Sequence, residues 1–435
     1  MGSILYRKGV FMDFLNSVVG TINDFLWTYI IIVVLVGCGL WFTFSTGLVQ
    51  LRALPEMVRL LAGDLGRRPS GRKAISSFQA FCVSTASRVG VGNIAGVAIA
   101  IVTGGPGAVF WMWVIAFIGT ATGFVESTLA QIYKIPRGHG LFHGGPAYYI
   151  QNALGQPTVA KLFAVLISVT FGLIYVSVQA NTIALSMEKA FGIETWVMGV
   201  VLAVLAGAVI FGGIHRVASL SAFLVPIMAG IYLLIALIII ILHMDAVPAM
   251  FALILHDAFS PQAAVGGGIG TAVLTGIRRG LFSNEAGEGS IPNAAATANV
   301  THPVKQGLVQ AFGVYVDTWI VCSATAFIVL LTGQYTIGGD TTGIALAQDS
   351  LASVFGPWAS SLLAVLIFLF AFSSVVGNYY YGEINIHFIT KNTQRALSVY
   401  RLAVVAMVFF GCVAAFGLVW NLADLFMAMI CLTNL

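Results

Sequence analysis

Apolar runs of membrane length recur along nearly the whole chain, at 25–46, 77–103, 107–133, 158–190, 195–213, 218–243, 262–283, 306–333, 357–385, 398–416 and 417–435. Each approaches or exceeds the ~20 residues an α-helix needs to cross a hydrocarbon core. The pattern therefore predicts an all-α polytopic membrane protein of about 11 transmembrane helices. Shorter amphipathic pieces at 12–24, 146–154, 246–258 and 343–355 are expected to lie at the interface or to cap a vestibule.

Composition agrees: of 435 residues, 59% are hydrophobic and 8% are charged, against about 25% charged in a soluble domain. The net charge of +4 matters through its placement. The connector 47–76 holds Arg52, Arg59, Arg67, Arg68, Arg72 and Lys73, which makes it cytoplasmic by the positive-inside rule. The later inside connectors then hold Lys134 and Arg137, Arg216, Lys305, and Lys391 with Arg395, whereas the outside connectors 244–261 and 334–356 hold no Lys or Arg. The orientation expected is N-terminus outside and C-terminus inside, with Arg7, Lys8 and Lys189 as exceptions. The run from Leu26 to Gly47 is too long for a signal-peptide core and lacks a small-residue cleavage site, so it is read as a span. The five cysteines and seven histidines show no metal-ligand spacing.

Two spans break the lipid-facing pattern. Ser77–Gly105 carries the run VGVGNIAG at Val89–Gly96, and Gly266–Asn293 carries TGIRRGLFSNEAG at Thr275–Gly287. Glycine and polar residues at membrane depth allow the backbone to unwind only where protein or water covers it. A matched pair of such spans points to a transporter site, where half-helix N-termini meet a carboxylate and freed carbonyls hold a cation. The alternative for each is close helix packing through small residues. Arg88, Asn93, Arg278, Arg279 and Glu285 shift the balance, because a charge at mid-membrane costs roughly 2.5–3.5 kcal/mol on insertion scales. Gly90-x-Gly92-x-x-Ala95 also mimics a dinucleotide fingerprint, without the strand that such a motif requires. A channel is the runner-up, but no filter repeated by symmetry is visible. A membrane enzyme comes third and lacks a catalytic constellation; nothing points to nucleic acid.

The run Gly104–Gly119 (GGPGAVFWMWVIAFIG) resembles the signature of the alanine or glycine:cation symporters. Arg279–Gly287 (RGLFSNEAG), Val89–Gly96, Gly144–Tyr149 (GGPAYY) and Tyr380–Glu383 (YYGE) are similar to further blocks of that family, and together they run over nearly the whole chain. The resemblance implies a LeuT-like fold with two discontinuous helices: an extra helix with its arm and basic connector (1–76), a first five-helix repeat (77–243), an extracellular connector (244–261) and an inverted second repeat (262–435). It also implies a prokaryotic cytoplasmic (inner) membrane and import of alanine or glycine with Na⁺, or with H⁺ in some members, by alternating access. No organic cofactor is expected, and the protein is expected to be a monomer or weak homo-oligomer in the lipid bilayer.

By the same resemblance, the N–H groups of Val91 and Gly92 would take the substrate carboxylate, and the ammonium would face carbonyls near Thr275 and Gly276. Gln179 and Asn181 either line the pocket or tie helices together. A Na⁺ cage would form from Ser373, Ser374 and the carbonyls of Ala86 and Val89, since hard cations want oxygen ligands; otherwise the two hydroxyls bond back to their own helix. Asn93 is a second ion ligand or a brace for the unwound turn. Arg88 departs from the family pattern, in which Thr is frequent, and is expected to turn away and pair with Glu126, Glu285 or Asp317. Arg278, Arg279 and Glu285, with Glu383, are expected to form structural or gating ion pairs near the cytoplasmic side.

Overall fold

The computed structural model describes residues 16–64, 74–137, 141–211, 214–260, 270–391 and 393–435, without the side chains of 214–222 and 224. Arg7, Lys8, Arg67, Arg68, Arg72, Lys73, the side chain of Arg216 and the start of the second interrupted span at 262–269 lie outside the described residues.

Helices account for almost everything described. In chain order the main ones are α1 (Asn16–Ser45), α2 (Ser77–Arg88), α3 (Gly92–Gly104), α4 (Gly107–Ile132), α5 (Pro157–Phe191), α6 (Thr195–Ile210), α7 (Ile214–Leu242) and α8 (Val247–Ala258). Then come α9 (Thr271–Asn284), α10 (Ile291–Ala295), α11 (Pro303–Thr332), α12 (Trp358–Thr390), α13 (Gln394–Val413) and α14 (Phe416–Asn434). Among the described residues eight of these are long and apolar enough to cross a membrane, or nine if α2 and α3, bent by 50° at their junction, make one span. The expected amphipathic pieces at 146–154 and 343–355 form the helices Pro146–Leu154 and Gly343–Phe355, and that at 246–258 forms α8. The piece at 12–24 differs: from Asn16 onward it is continuous with the first span, because no helix breaker separates it from Leu26.

Local chemistry fixes the ends that matter. At the start of α2, Ser76 and Gln79 form a reciprocal capping box, which satisfies two orphan donors at once. The start of α4 is capped from a distant element: Asp257 of α8 accepts the Gly107 N–H at 2.7 Å, and Trp111 Nε1 donates to the Ala258 carbonyl at 3.2 Å. Gly105 at φ +79° makes the turn that brings the two together. Replacing Asp257 by Ala is expected to destabilise the α4–α8 junction by about 0.5–2 kcal/mol. A thermal-shift measurement on purified protein reads the loss, and Asp257→Asn, which keeps an acceptor, is expected to retain most of the stability.

At the opposite end of the bundle, the chain entering α2 meets the chain leaving α10. Ile75 pairs with Ala298 in a short parallel bridge, and Asn299 N–H donates to the Ile75 carbonyl at 2.9 Å. Lys134 Nζ, just past α4, donates to the Ala298 carbonyl at 2.7 Å. One end of the bundle is thus closed by main-chain contacts between the two interrupted spans.

Candidate functional site

The first interruption falls where the glycines predict it. Helix α2 stops at Arg88, Val89 is extended (φ −76°, ψ 95°), and a widened turn over Gly92–Gly96 starts the next helical segment. The Gly90 N–H is taken by Asn93 Oδ1 at 2.9 Å, and the Val91 N–H by Gln179 Oε1 of α5 at 3.2 Å. Gln179 therefore presents an oxygen to the donor assigned to a carboxylate. Asn181, two residues on, points elsewhere: its Nδ2 donates to the carbonyls of Gly411 and Ala414, both at 2.9 Å, and ties α5 to α13. Of the two roles expected of Asn181, these bonds are those of a tie between helices.

The second interruption falls at the C-terminal end of the expected run Thr275–Gly287. Helix α9 runs unbroken through Thr275 and Gly276 and ends only at Glu285, a left-handed residue at φ +57°. An irregular stretch then leads to Ile291. The carbonyls of Thr275 and Gly276 belong to regular helix, where each already accepts a bond within α9. Gly276 and Gly280 are packing glycines: a Cβ on Gly276 would lie 2.4 Å from the Ala108 carbonyl, and one on Gly280 would lie 2.6 Å from Ile115. Their density in the sequence reflects a tight α4–α9 contact.

Ser373 and Ser374, on α12, face the end of α2. Ser374 Oγ donates to the Ala86 carbonyl at 2.8 Å, and Ser373 Oγ reaches it at 3.5 Å. Both also bond back to Phe370 O, at 3.2 and 2.8 Å, so the expected cross-helix contact and the expected back-bond occur together. Beside them the extended Val89 begins the unwound turn.

A buried group joins the two interruptions at a third helix. Asp317 of α11 accepts from Asn93 Nδ2 at 2.7 Å, Ser283 Oγ at 2.8 Å and Thr318 Oγ1 at 2.9 Å. Asn93 thus braces the turn through Gly90 and carries it to Asp317. Asp317 is expected from sequence only as a partner for Arg88, although its charge at mid-span is a signal that points to a buried site. Glu285 accepts from Ser87 at 2.9 Å and Ser290 at 2.6 Å, and Glu288 from Tyr175 at 3.1 Å.

The arginines depart from expectation. Arg88 forms no ion pair within 4.0 Å among the described residues; it donates to Ser84 Oγ at 2.9 Å and Gln310 Oε1 at 3.3 Å. It does turn away from Ser373 and Ser374, toward α11, because Gly313 leaves room for the guanidinium there. Arg278 and Arg279 both pair with Asp424 of α14, Arg279 directly and Arg278 at 3.5 Å. Together with Ile99, Thr103, Phe416 and Trp420 they line a cavity of about 230 Å³ at the end of α3 and the start of α14, away from the Ile75–Ala298 pairing. Glu285 pairs with hydroxyls in place of a cation, while Glu383 does meet Arg401 at 3.2 Å.

The chain matches the model of the sodium:alanine symporter family over residues 12–435. It is 52% identical over 423 residues to the amino-acid carrier protein AlsT of Bacillus subtilis, covering 97% of this chain and 89% of that protein. It is 51% identical to the probable sodium/glutamine symporter GlnT of the same organism, over 97% of this chain and 87% of that one. Among solved structures, the substrate-bound outward-open state of a Na⁺-coupled sialic acid symporter aligns with a TM-score of 0.56 at 16% identity, over 93% of this chain and 83% of that one.

Proposed function

The chain belongs to the sodium:alanine symporter family, and from that premise we propose that it imports a small neutral amino acid, alanine or glycine, together with Na⁺ by alternating access. It is a multi-span transporter of the inner-membrane type, neither a channel nor an enzyme. In this reading the N-terminus is outside and the C-terminus inside, following the basic connectors.

The observation that carries the reading is the contact of α12 with the end of α2 beside the unwound turn. Ser374 Oγ already reaches the Ala86 carbonyl, and Ser373 stands next to it. Two hydroxyls and the carbonyls of Ala86 and Val89 offer the oxygen ligands that a hard cation takes. A Na⁺ held there bridges a helix to the break itself, so ion binding favours one arrangement of the break over another. The Val91 and Gly92 N–H groups, next along, would receive the substrate carboxylate once Gln179 yields the Val91 donor. The carboxylate at Asp317, tied to Asn93, supplies a second oxygen-rich place for a cation.

Uptake of radiolabelled L-alanine, glycine and L-glutamine into proteoliposomes, with and without an inward Na⁺ gradient, tests this. Accumulation of alanine or glycine only with the gradient is expected. Accumulation driven equally by a proton gradient in Na⁺-free buffer would move the coupling to H⁺, and preference for glutamine would enlarge the substrate. Ser374→Ala is expected to raise the Na⁺ concentration for half-maximal uptake about tenfold, corresponding to ~1.4 kcal/mol of ion binding. An unchanged Na⁺ dependence would remove Ser374 from the cage.

A further inference from the structure

The outer cavity between α3, α9 and α14 has no part in the transport reading so far. Its wall carries two fixed cations, Arg278 and Arg279, against one carboxylate, Asp424, an excess of one positive charge (two minus one); Asp24, outside the wall, is near enough to act on Arg278 but bonds neither arginine. Asp424 engages Arg279 directly and Arg278 at 3.5 Å. That leaves Arg278 Nε and Nη2, Arg279 Nη1 and Trp420 Nε1 buried without an acceptor. All four are donors. Guanidinium and indole N–H groups cannot accept, so they cannot satisfy one another.

The rings nearby do not resolve this. Arg278 lies over Trp27 at 5.2 Å and Arg279 over Trp420 at 4.8 Å. Such contacts are electrostatic and give an N–H no acceptor atom. Arg279 is only 4% exposed, and a buried donor to a charged acceptor left unmade is expensive. The missing partner is an acceptor with negative charge, and a carboxylate matches the forked edge of an arginine with two parallel bonds. At about 230 Å³ the cavity is several times the ~30 Å³ share of one water molecule. Thr103, Thr275 and Asn421 add polar residues to the wall.

Position gives this acceptor a role. The Trp420 ring lies tilted against that of Phe282, centroids 4.9 Å apart, and Phe282 packs against Gly92 of the first interruption. The floor of the cavity is thus the roof of the unwound turn. We propose that the cavity is a receiving site for the carboxylate of the transported amino acid, held chiefly by Arg278 while Asp424 retains Arg279. The amino acid rests there before Trp420 and Phe282 part and admit it to Val91 and Gly92. The identity of the ligand rests on the transport reading above; the demand for an anion does not.

The full-length chain in lipid nanodiscs is titrated with propionate, which has the carboxylate and lacks the ammonium. Tryptophan fluorescence is the readout, with W420F as the blank for the other seven of the eight tryptophans. A saturable change is expected in the unaltered chain and none with propionamide. R278Q, which leaves the Arg279–Asp424 pair in place, is expected to move the midpoint about tenfold higher, with R278K in between. Uptake supplies the second arm: R278Q is expected to raise the external KM for alanine about tenfold while counterflow from the inner side keeps its rate. Equal response to propionate and propionamide, or an unmoved midpoint in both R278Q and R278K, overturns the site. Chloride as potent as propionate makes it an inorganic-anion site and overturns the carboxylate assignment. Absent uptake of every amino acid, with the propionate response intact, sinks the transport reading and leaves the anion site standing.

Discussion

Gly90→Ala is expected to bring Na⁺-driven uptake to background, a loss of at least about a hundredfold, or ~2.7 kcal/mol and more in the transport barrier, while the protein still inserts and purifies. A Cβ at this position would lie 2.3 Å from Ser374 Oγ and 3.0 Å from Gln179 Oε1. Those side chains reach the two flanks of the break, one to the Ala86 carbonyl at the end of α2 and one to the Val91 N–H. The added methyl therefore displaces the serine from the proposed ion cage, or the glutamine from the proposed carboxylate donor, or both. Its steric cost falls on flexible ends rather than on backbone, so folding survives. Gly96→Ala is the control: the nearest foreign atom to a Cβ there is 3.8 Å away, on Trp420, and uptake is expected to stay within about twofold. If Gly90→Ala transports as well as Gly96→Ala, the Ser374–Ala86 and Gln179–Val91 contacts lie outside the transport path.

How far the sequence disclosed this geometry depended on what kind of signal each residue gave. The apolar periodicity located the spans because lipid leaves no other option for such runs. Val89–Gly96 read correctly as a break because nothing in it competes: its glycines lie at the unwound turn, and Asn93 bonds the chain there. Thr275–Gly280 carried the same glycine-and-polar signature for another reason. Gly276 and Gly280 let α9 lie against α4, and the helix ends later, at Glu285, a non-glycine whose positive φ no composition rule flags. Ser373 and Ser374 could be assigned only through the family pattern, since a hydroxyl at mid-helix usually bonds back to its own backbone, as both of these also do. The arginines were the least legible. Buried charge predicts a partner without naming it, and Arg88 is held by a serine and a glutamine, whereas Arg278 and Arg279 share an aspartate about 145 residues away in sequence. Partners that far apart are set by the tertiary packing of α9 on α14, which no local pattern encodes.

Asp317 carries the second large effect, and its two substitutions separate structure from charge. Asp317→Ala removes the acceptor shared by Asn93 Nδ2, Ser283 Oγ and Thr318 Oγ1. Each donor left unmet in a buried site costs about 1–3 kcal/mol. Weaker contacts limit the loss, since Asn93 Nδ2 also reaches the Asp317 carbonyl at 3.2 Å and Ser283 Oγ the Cys322 sulfur at 3.1 Å. Asp317→Ala is therefore expected to lose uptake entirely and to lower the melting temperature, because the first interruption comes loose from α11. Asp317→Asn keeps one acceptor and nearly the same shape but carries no charge. It is expected to fold and to raise the Na⁺ concentration for half-maximal uptake about tenfold or more, since a cation next to Asn93 would lose the carboxylate charge that Asn93 contacts. Uptake at several Na⁺ concentrations, with melting curves on the same preparations, decides between the roles. Should Asp317→Asn match the unaltered chain in Na⁺ dependence while Asp317→Ala fails, the carboxylate is a brace between the two interrupted spans, and the coupling ion is held by α2 and α12 alone.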